Sequence, residues 1–251
     1  MKRIFIFMLI ILFLSSLSLL SETLDEILAK NYESKGGLEK LKSVKSIKIK
    51  GKIVQAMMNM EMPMQVWYKK PNKIRMESEF QGRKIIQGYD GKIAWWIMPF
   101  LGSDDPQEMG EEQAREVKDM ADSMDPLVDY KEKGYKLEFM GKEDLEGTEV
   151  YKLKMTKKNN KEEFYYLDID SGIELKTTAY VKRGENEILV ETIFGDYQEV
   201  DGLMMAFQIE VRTNNQTSVT MTFEEFKFNE EMEDSLFVMP PKKKTETSGE
   251  K

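Results

Sequence analysis

The sequence predicts a mainly β protein with some helix: a curled antiparallel sheet of about 11–12 strands, covered by an N-terminal helix and a mid-chain helical segment. Three observations predict it. Most of the chain alternates apolar and polar residues with period two, in short stretches separated by turn residues. Connections that short imply antiparallel neighbours. A sheet with that many strands must curl to cover its inner face, and two amphipathic segments are available as the cover.

The N-terminus reads as an address. Met1-Lys2-Arg3 is followed by the apolar run Ile4–Leu14 and the Ser/Leu stretch Ser15–Ser21. That is the order of a secretory signal, with cleavage expected after Ser21 and export as the consequence. An uncleaved anchor is the alternative reading. Residues 22–240 then form one domain, and residues 241–251, which carry no apolar side chain after Pro241, form a disordered tail.

Glu22–Ser34 carries Leu24, Ile27 and Leu28 at helical spacing, acidic residues at its start and Gly36-Gly37 as its stop. The period changes to two from Val44, where Ile47, Ile49 and Ile53 alternate with lysines. Strands follow at Val66–Lys70, Ile74–Phe80, Lys84–Tyr89 and Lys92–Met98, with Asp90-Gly91 as a hairpin signal. Pro99–Ser103 reads as a loop. A helix is expected over Pro106–Ala121 and a shorter one over Pro126–Lys133. The remainder reads as strands: Tyr135–Phe139, Tyr151–Met155, Phe164–Ile169, Glu174–Lys182, Glu187–Tyr197, Leu203–Thr213 and Thr217–Phe228.

Composition excludes several functions. The 251 residues contain neither His nor Cys, so Ser-His-Asp and Cys-His catalysis, ordinary zinc sites, disulfides and a lipidated cysteine fall away. With 45 acidic and 37 basic side chains the net charge is −8; removal of Lys2 and Arg3 leaves 35 basic groups and a net charge of −10. No basic face is available for nucleic acid. No carboxylate pair has glycosidase spacing, and Glu108, Glu111, Glu112 and Glu116 read as a solvated helix face. Asp168-Ile169-Asp170-Ser171-Gly172 lacks the later ligands of a calcium loop and reads as a turn. The protein is read as a non-enzyme without a cofactor or resident metal.

Met57–Met64 (MMNMEMPM) is the most unusual stretch. In extended backbone Met58, Met60, Met62 and Met64 share a face. They form an adaptable apolar surface or, as a weaker alternative, a thioether site for Cu(I).

Several motifs occur in the order seen in a known family: ILAKNYESKGG (Ile27–Gly37), Lys70-Pro71-Asn72-Lys73 with Arg75, Tyr89-Asp90-Gly91 through Trp95-Trp96, Tyr166-Leu167-Asp168, Asp196-Tyr197 with Val200-Asp201-Gly202-Leu203, and Ser235-Leu236-Phe237 before Pro240. On these the chain resembles the periplasmic outer-membrane lipoprotein-sorting (LolA-like) family in its broad sense. The resemblance implies an open half-barrel whose concave apolar face, lidded by helices, shelters acyl chains or an apolar partner segment. It departs from the family at Met204-Met205-Ala206, where a proline often stands, and in the length of Pro106–Lys133.

Expected partners are therefore lipoprotein or lipid acyl chains. The alternative is an envelope sensor or scaffold module that recognises a protein without carrying lipid. The candidate cavity lining comprises Met58, Met60, Met62, Trp67, Trp95 and Phe139 from the first part of the chain. Tyr151, Leu153, Phe164, Val219, Met221 and Phe223 complete it. The candidate lid residues are Met109, Val117, Met120, Met124 and Leu127.

Overall fold

The computed structural model describes residues 22–122, 125–183 and 186–242. The expected signal segment and most of the expected tail lie outside them. No helix among the described residues is long and apolar enough to cross a membrane.

The chain opens with α1 (Leu24–Ser34) and α2 (Leu38–Ser43). Thr23 and Glu26 close a reciprocal capping box at the start of α1, satisfying two otherwise orphaned backbone donors. Gly36 (φ 108°) sits between the helices, where a Cβ would lie 2.2 Å from the Gly202 carbonyl. Only glycine allows this junction to rest on the sheet.

Six strands follow: β1 (Ser46–Gln55), β2 (Met60–Lys69), β3 (Lys73–Phe80), β4 (Arg83–Tyr89), β5 (Ala94–Met98) and β6 (Ser103–Glu108). Then come α3 (Glu111–Ala121) and α4 (Pro126–Asp129). Seven more strands complete the fold: β7 (Lys136–Leu145), β8 (Thr148–Thr156), β9 (Glu162–Asp168), β10 (Glu174–Arg183), β11 (Asn186–Val200), β12 (Leu203–Thr213) and β13 (Gln216–Phe228). All thirteen form one antiparallel sheet in the order β6-β5-β4-β3-β2-β1-β13-β12-β11-β10-β9-β8-β7. Two meanders are thus stitched together by the β1–β13 pair.

The thirteenth strand is β6, within a stretch expected to be loop and helix start. Trp95↔Glu108, Trp96↔Gln107 and Met98↔Ser103 pair it with β5. Proline and acidic residues are tolerated there because β6 is an edge, where a missing donor costs little and charge discourages further pairing. The helix accordingly starts at Glu111 rather than Pro106, and α4 ends at Asp129.

The connection from β6 to β7 carries α3 and α4 from one edge of the sheet to the other. Ala114 and Val117 of α3 join Tyr89 of β4 and Ala94 of β5 in one buried cluster. Two residues on from Val117, Asp119 meets Lys161, in the β8–β9 turn, at 2.9 Å. In a flat sheet β4 and β9 would be roughly 38 Å apart, eight spacings of about 4.8 Å. One short helix touches both, so the sheet is curled, with the helices across its concave side.

Two cores result. One, under α3, contains Ile47, Ile49, Val66, Ile74, Val117 and Phe226. The other, under α1 and α4, contains Ile27, Leu28, Leu127, Leu153, Met155 and Leu167. The opposite, convex face is largely polar, except where the C-terminal segment 230–239 straps across β2–β5. There Trp95 and Phe237 are wholly buried, Trp95 Nε1 donates to the Phe237 carbonyl at 2.8 Å, and Arg75 donates to the Leu236 carbonyl at 2.9 Å.

Candidate functional site: an apolar trough between two roofed cores

Paired residues in neighbouring strands point to the same side of a sheet, so register alone traces what lines the concave face. One rung reads Met62↔Ile53↔Met221↔Ile209↔Phe194 across β2, β1, β13, β12 and β11. The next reads Met60↔Gln55↔Val219↔Val211↔Thr192. Val190 of β11 and Val181 of β10 extend the same face. Met62 is buried; Ile53, Met221, Ile209, Phe194, Val219, Val211, Val190 and Val181 are partly buried, Ile53 and Met221 against the core under α3.

Alternation produces this lining. Ile209 and Val211 face inward while Glu210 and Arg212 pair outside at 2.8 Å. The first rung spans four strand spacings, roughly 19 Å. It forms an apolar floor between the part covered by α3 and the part covered by α1 and α4.

The roof is clipped down by charge. Lys35, at the end of α1, contacts Asp125 before α4 at 2.7 Å and Glu174 of β10 at 3.2 Å. Burial alone would lower the Lys35 pKa; Asp125 and Glu174 outweigh it and hold the ammonium well above its usual range. Burial also raises the carboxyl of Glu174, with Asp125 adding to the effect and Lys35 opposing it. Asp125 Oδ1 is buried without a hydrogen-bond partner. A second clip joins Lys133 to Asp122 at 3.1 Å, with Tyr135 donating to the same carboxylate. Lys161 and Asp119 form a third.

No constellation suited to catalysis emerges among the described residues. Buried carboxylates are committed to lysines, and no group of acidic side chains is arranged to hold a metal. Two surface hollows, of about 390 and 220 Å³, are bordered largely by charged residues. The larger lies by Trp67 and the C-terminal strap, on the convex side.

The structure brings Met60, Met62, Val219, Met221 and Phe223 together on the concave face. Phe139, Tyr151 and Leu153 share that face but are packed beneath α1 and α4 in the second core. Three expected lining residues point the other way. Trp95 pairs with Gly88, where a Cβ would lie 2.5 Å from its ring, and is sealed under the strap; Trp96 takes the inward position. Trp67 pairs with Lys48 and borders the convex hollow. Phe164 pairs with Lys154, and the Lys152 ammonium lies 5.2 Å from its ring centroid. In each case adjacent large apolar residues conceal which parity faces inward.

Met58 also leaves the expected face. Ala56–Met58 is a 3-10 turn ended by Asn59 at φ 46°, so extended backbone begins only at Met60. Met58 is 74% exposed whereas Met62 and Met64 are buried, so Met58 does not share the face of Met60, Met62 and Met64. Of the lid residues, Met109, Val117 and Leu127 are anchored in the cores and Met120 is at the surface; Met124 lies outside the described residues. Sequence reasoning missed Ile53, Ile209, Phe194, Val211, Val190 and Val181. Ile209 and Val211 were legible from their charged neighbours, but Phe194 and Val190 alternate with Ile193 and Leu189, and only register resolves them.

A curled antiparallel sheet, open at both edges and roofed by helices on its concave side, is the LolA-like architecture in its broad sense. Residues 111–239, just over half of the chain, match the model of a family described as an uncharacterized protein, and the chain belongs to that family. No curated protein matches the sequence. Among solved structures, a DUF1329 family protein from Desulfovibrio piger superposes with a TM-score of 0.59 at 12% identity, covering 83% of this chain and 95% of that one. A LolA superfamily protein from Nitrosomonas europaea gives 0.59 at 14% identity, covering 87% and 98%. A domain assigned to outer-membrane lipoprotein sorting from Vibrio parahaemolyticus gives 0.56 at 14%, covering 84% and 94%. At these identities the likeness shows the shared fold.

Proposed function

We propose that this is an exported, non-enzymatic envelope protein that shelters acyl chains, of a lipid or a lipoprotein, in the concave trough. The observation that carries the reading is the rung Met62–Ile53–Met221–Ile209–Phe194: five apolar side chains on five adjacent strands, four of them only partly buried. Apolar area left open inside a roofed concavity marks a binding surface more often than a scattered surface residue does. The N-terminal pattern of Lys2-Arg3 and Ile4–Leu14 supports export, and the fold shared with the lipoprotein-sorting domain supports apolar cargo.

The driving force is burial. About ten methylenes laid on the trough supply roughly 8 kcal/mol at ~0.8 kcal/mol each; ordering the chain offsets part of that. Roughly 8 kcal/mol alone corresponds to about 1 μM, so after the ordering cost the expected scale is on the order of tens to hundreds of micromolar.

The test uses residues 22–251 and a fluorescent long-chain fatty acid. Wild type is expected to bind saturably, and Ile209→Asp with Met221→Asp to weaken binding by about tenfold or more, because a charge in the trough must be desolvated beneath the chain. Co-purified lipid in native mass spectra would agree. No binding by the folded wild type, or equal binding by the double variant, would reject the reading.

A further inference from the structure

We infer that one rim of the half-barrel is a membrane-docking surface that inserts apolar hairpin tips into a zwitterionic lipid bilayer. In the β1–β6 meander the β1–β2, β3–β4 and β5–β6 tips lie on one end of the sheet, each about two strand spacings, or roughly 10 Å, from the next. The β1–β2 tip carries Met57 and Met58, 94% and 74% exposed, and the β5–β6 tip carries Phe100 and Leu101, 47% and 70% exposed. Phe80, at the end of β3, links the last two tips, its ring centroid 5.5 Å from that of Phe100.

Hairpin apices normally carry small polar residues. Here two of the three carry large apolar side chains where no core can receive them. They are convex points separated by gaps, a poor match to a protein partner, which needs roughly 800 Å² of complementary surface per side. A fluid acyl layer fills gaps of any shape.

Charge selects the kind of layer. Lys52 pairs with Glu61 at 3.1 Å, Arg83 with Asp104 at 2.7 Å and Lys84 with Glu77 at 3.3 Å. With Glu79 and Asp105 beside the same tips, the flanks carry a slight acidic excess, without the basic excess that attracts anionic lipid. Arg83 also lies over the Phe100 ring, 5.3 Å from its centroid, an arrangement suited to the headgroup level, where a long cationic side chain reaches water and the ring reaches hydrocarbon.

The rim also adjoins the trough. Gln55, the last residue of β1, pairs with Val219, and Ile53 pairs with Met221; the Met57–Met58 turn begins directly beyond. Docked by these tips, the protein presents the open end of the trough to the bilayer. This purpose rests on the acyl-carrier reading, whereas docking itself stands or falls alone.

The test is flotation of residues 22–251 with phosphatidylcholine/phosphatidylethanolamine vesicles; both cores lie within residues 22–242, and omitting the apolar N-terminal segment removes its own membrane affinity. Wild type is expected to float with vesicles, unchanged from about 0.1 M to about 0.5 M salt. The variant Met57→Glu, Met58→Glu, Phe100→Glu, Leu101→Glu is expected to lose at least ~10-fold in partitioning while keeping wild-type fatty-acid affinity in the absence of vesicles. Absence of wild-type binding, equal binding by the variant, or binding that requires anionic lipid or vanishes with salt would overturn the proposal. So would tip-dependent dimerisation in sedimentation without vesicle binding. Loss of fatty-acid affinity with vesicle binding intact in Ile209→Asp with Met221→Asp would leave docking standing.

Discussion

Replacing Phe237 with alanine separates what holds the sheet together from what the sheet binds. Phe237 is 0% exposed and closes the strap over Trp95, itself 0% exposed. The Trp95 indole donates to the Phe237 carbonyl, and its ring packs directly on Gly88, where a Cβ would lie 2.5 Å from it. Truncation removes a whole buried ring and leaves a cavity that a curled sheet cannot close. Such Phe→Ala changes cost about 3–5 kcal/mol, a large fraction of the ~5–15 kcal/mol expected for a whole domain. At roughly 2–4 °C per kcal/mol for a domain of this size, the melting temperature should fall by on the order of 10 °C. Thermal unfolding followed by far-UV circular dichroism and tryptophan fluorescence provides the assay. Because the strap lies on the convex face, fatty-acid affinity measured well below the transition should be unchanged. A loss below ~1 kcal/mol, or weakened binding at full folding, would refute the assignment of Trp95 and the strap to a purely structural role.

Removing Lys35, as Lys35→Met, leaves Asp125 and Glu174 facing each other without their shared cation; urea unfolding should show a loss of about 3–5 kcal/mol, and a loss under ~1 kcal/mol would contradict the clip. At acid pH, Glu163 is the informative group: burial resists its ionisation, but Lys157 and Lys161 outweigh that and lower its pKa. A carboxyl lowered in the folded state contributes stability above its ordinary pKa and loses it as pH falls through the folded value. Glu163→Gln should therefore flatten the wild-type decline in stability between about pH 5 and pH 3. Glu174 has the opposite sign: its raised carboxyl contributes stability in acid that is lost as pH climbs through the raised value, so a Glu174→Gln curve should lack that decline, and curves parallel to wild type would disprove either assignment.

Most of the fold was legible because sheet periodicity and turn chemistry are local. Ile47, Ile49 and Ile53 between lysines, Asp90-Gly91 and Gly36-Gly37 mark elements that need no distant information. The β6 strand was not legible, since Asp104-Asp105-Pro106 suits a strand only at an edge, and being an edge is a property of the whole sheet. The site was less legible for the same reason. Its floor depends on the β1–β13 pairing, which joins residues about 170 positions apart. Where both parities are apolar, as in Trp95-Trp96 and Phe164-Tyr165, only tertiary register says which side chain faces the trough. The strap over Trp95 had a sequence signal in Ser235-Leu236-Phe237, but nothing in it told which face it would cover.

The central claim is that the concave rung, rather than the convex hollow beside Trp67, receives an acyl chain. Photocrosslinking with a diazirine-bearing fatty acid, mapped by peptide mass spectrometry, tests it most directly. Adducts on Ile53, Ile209, Met221 and Phe194, competed away by unlabelled fatty acid, are the predicted result. Adducts confined to Trp67 and the strap, or spread over the surface without competition, would contradict it.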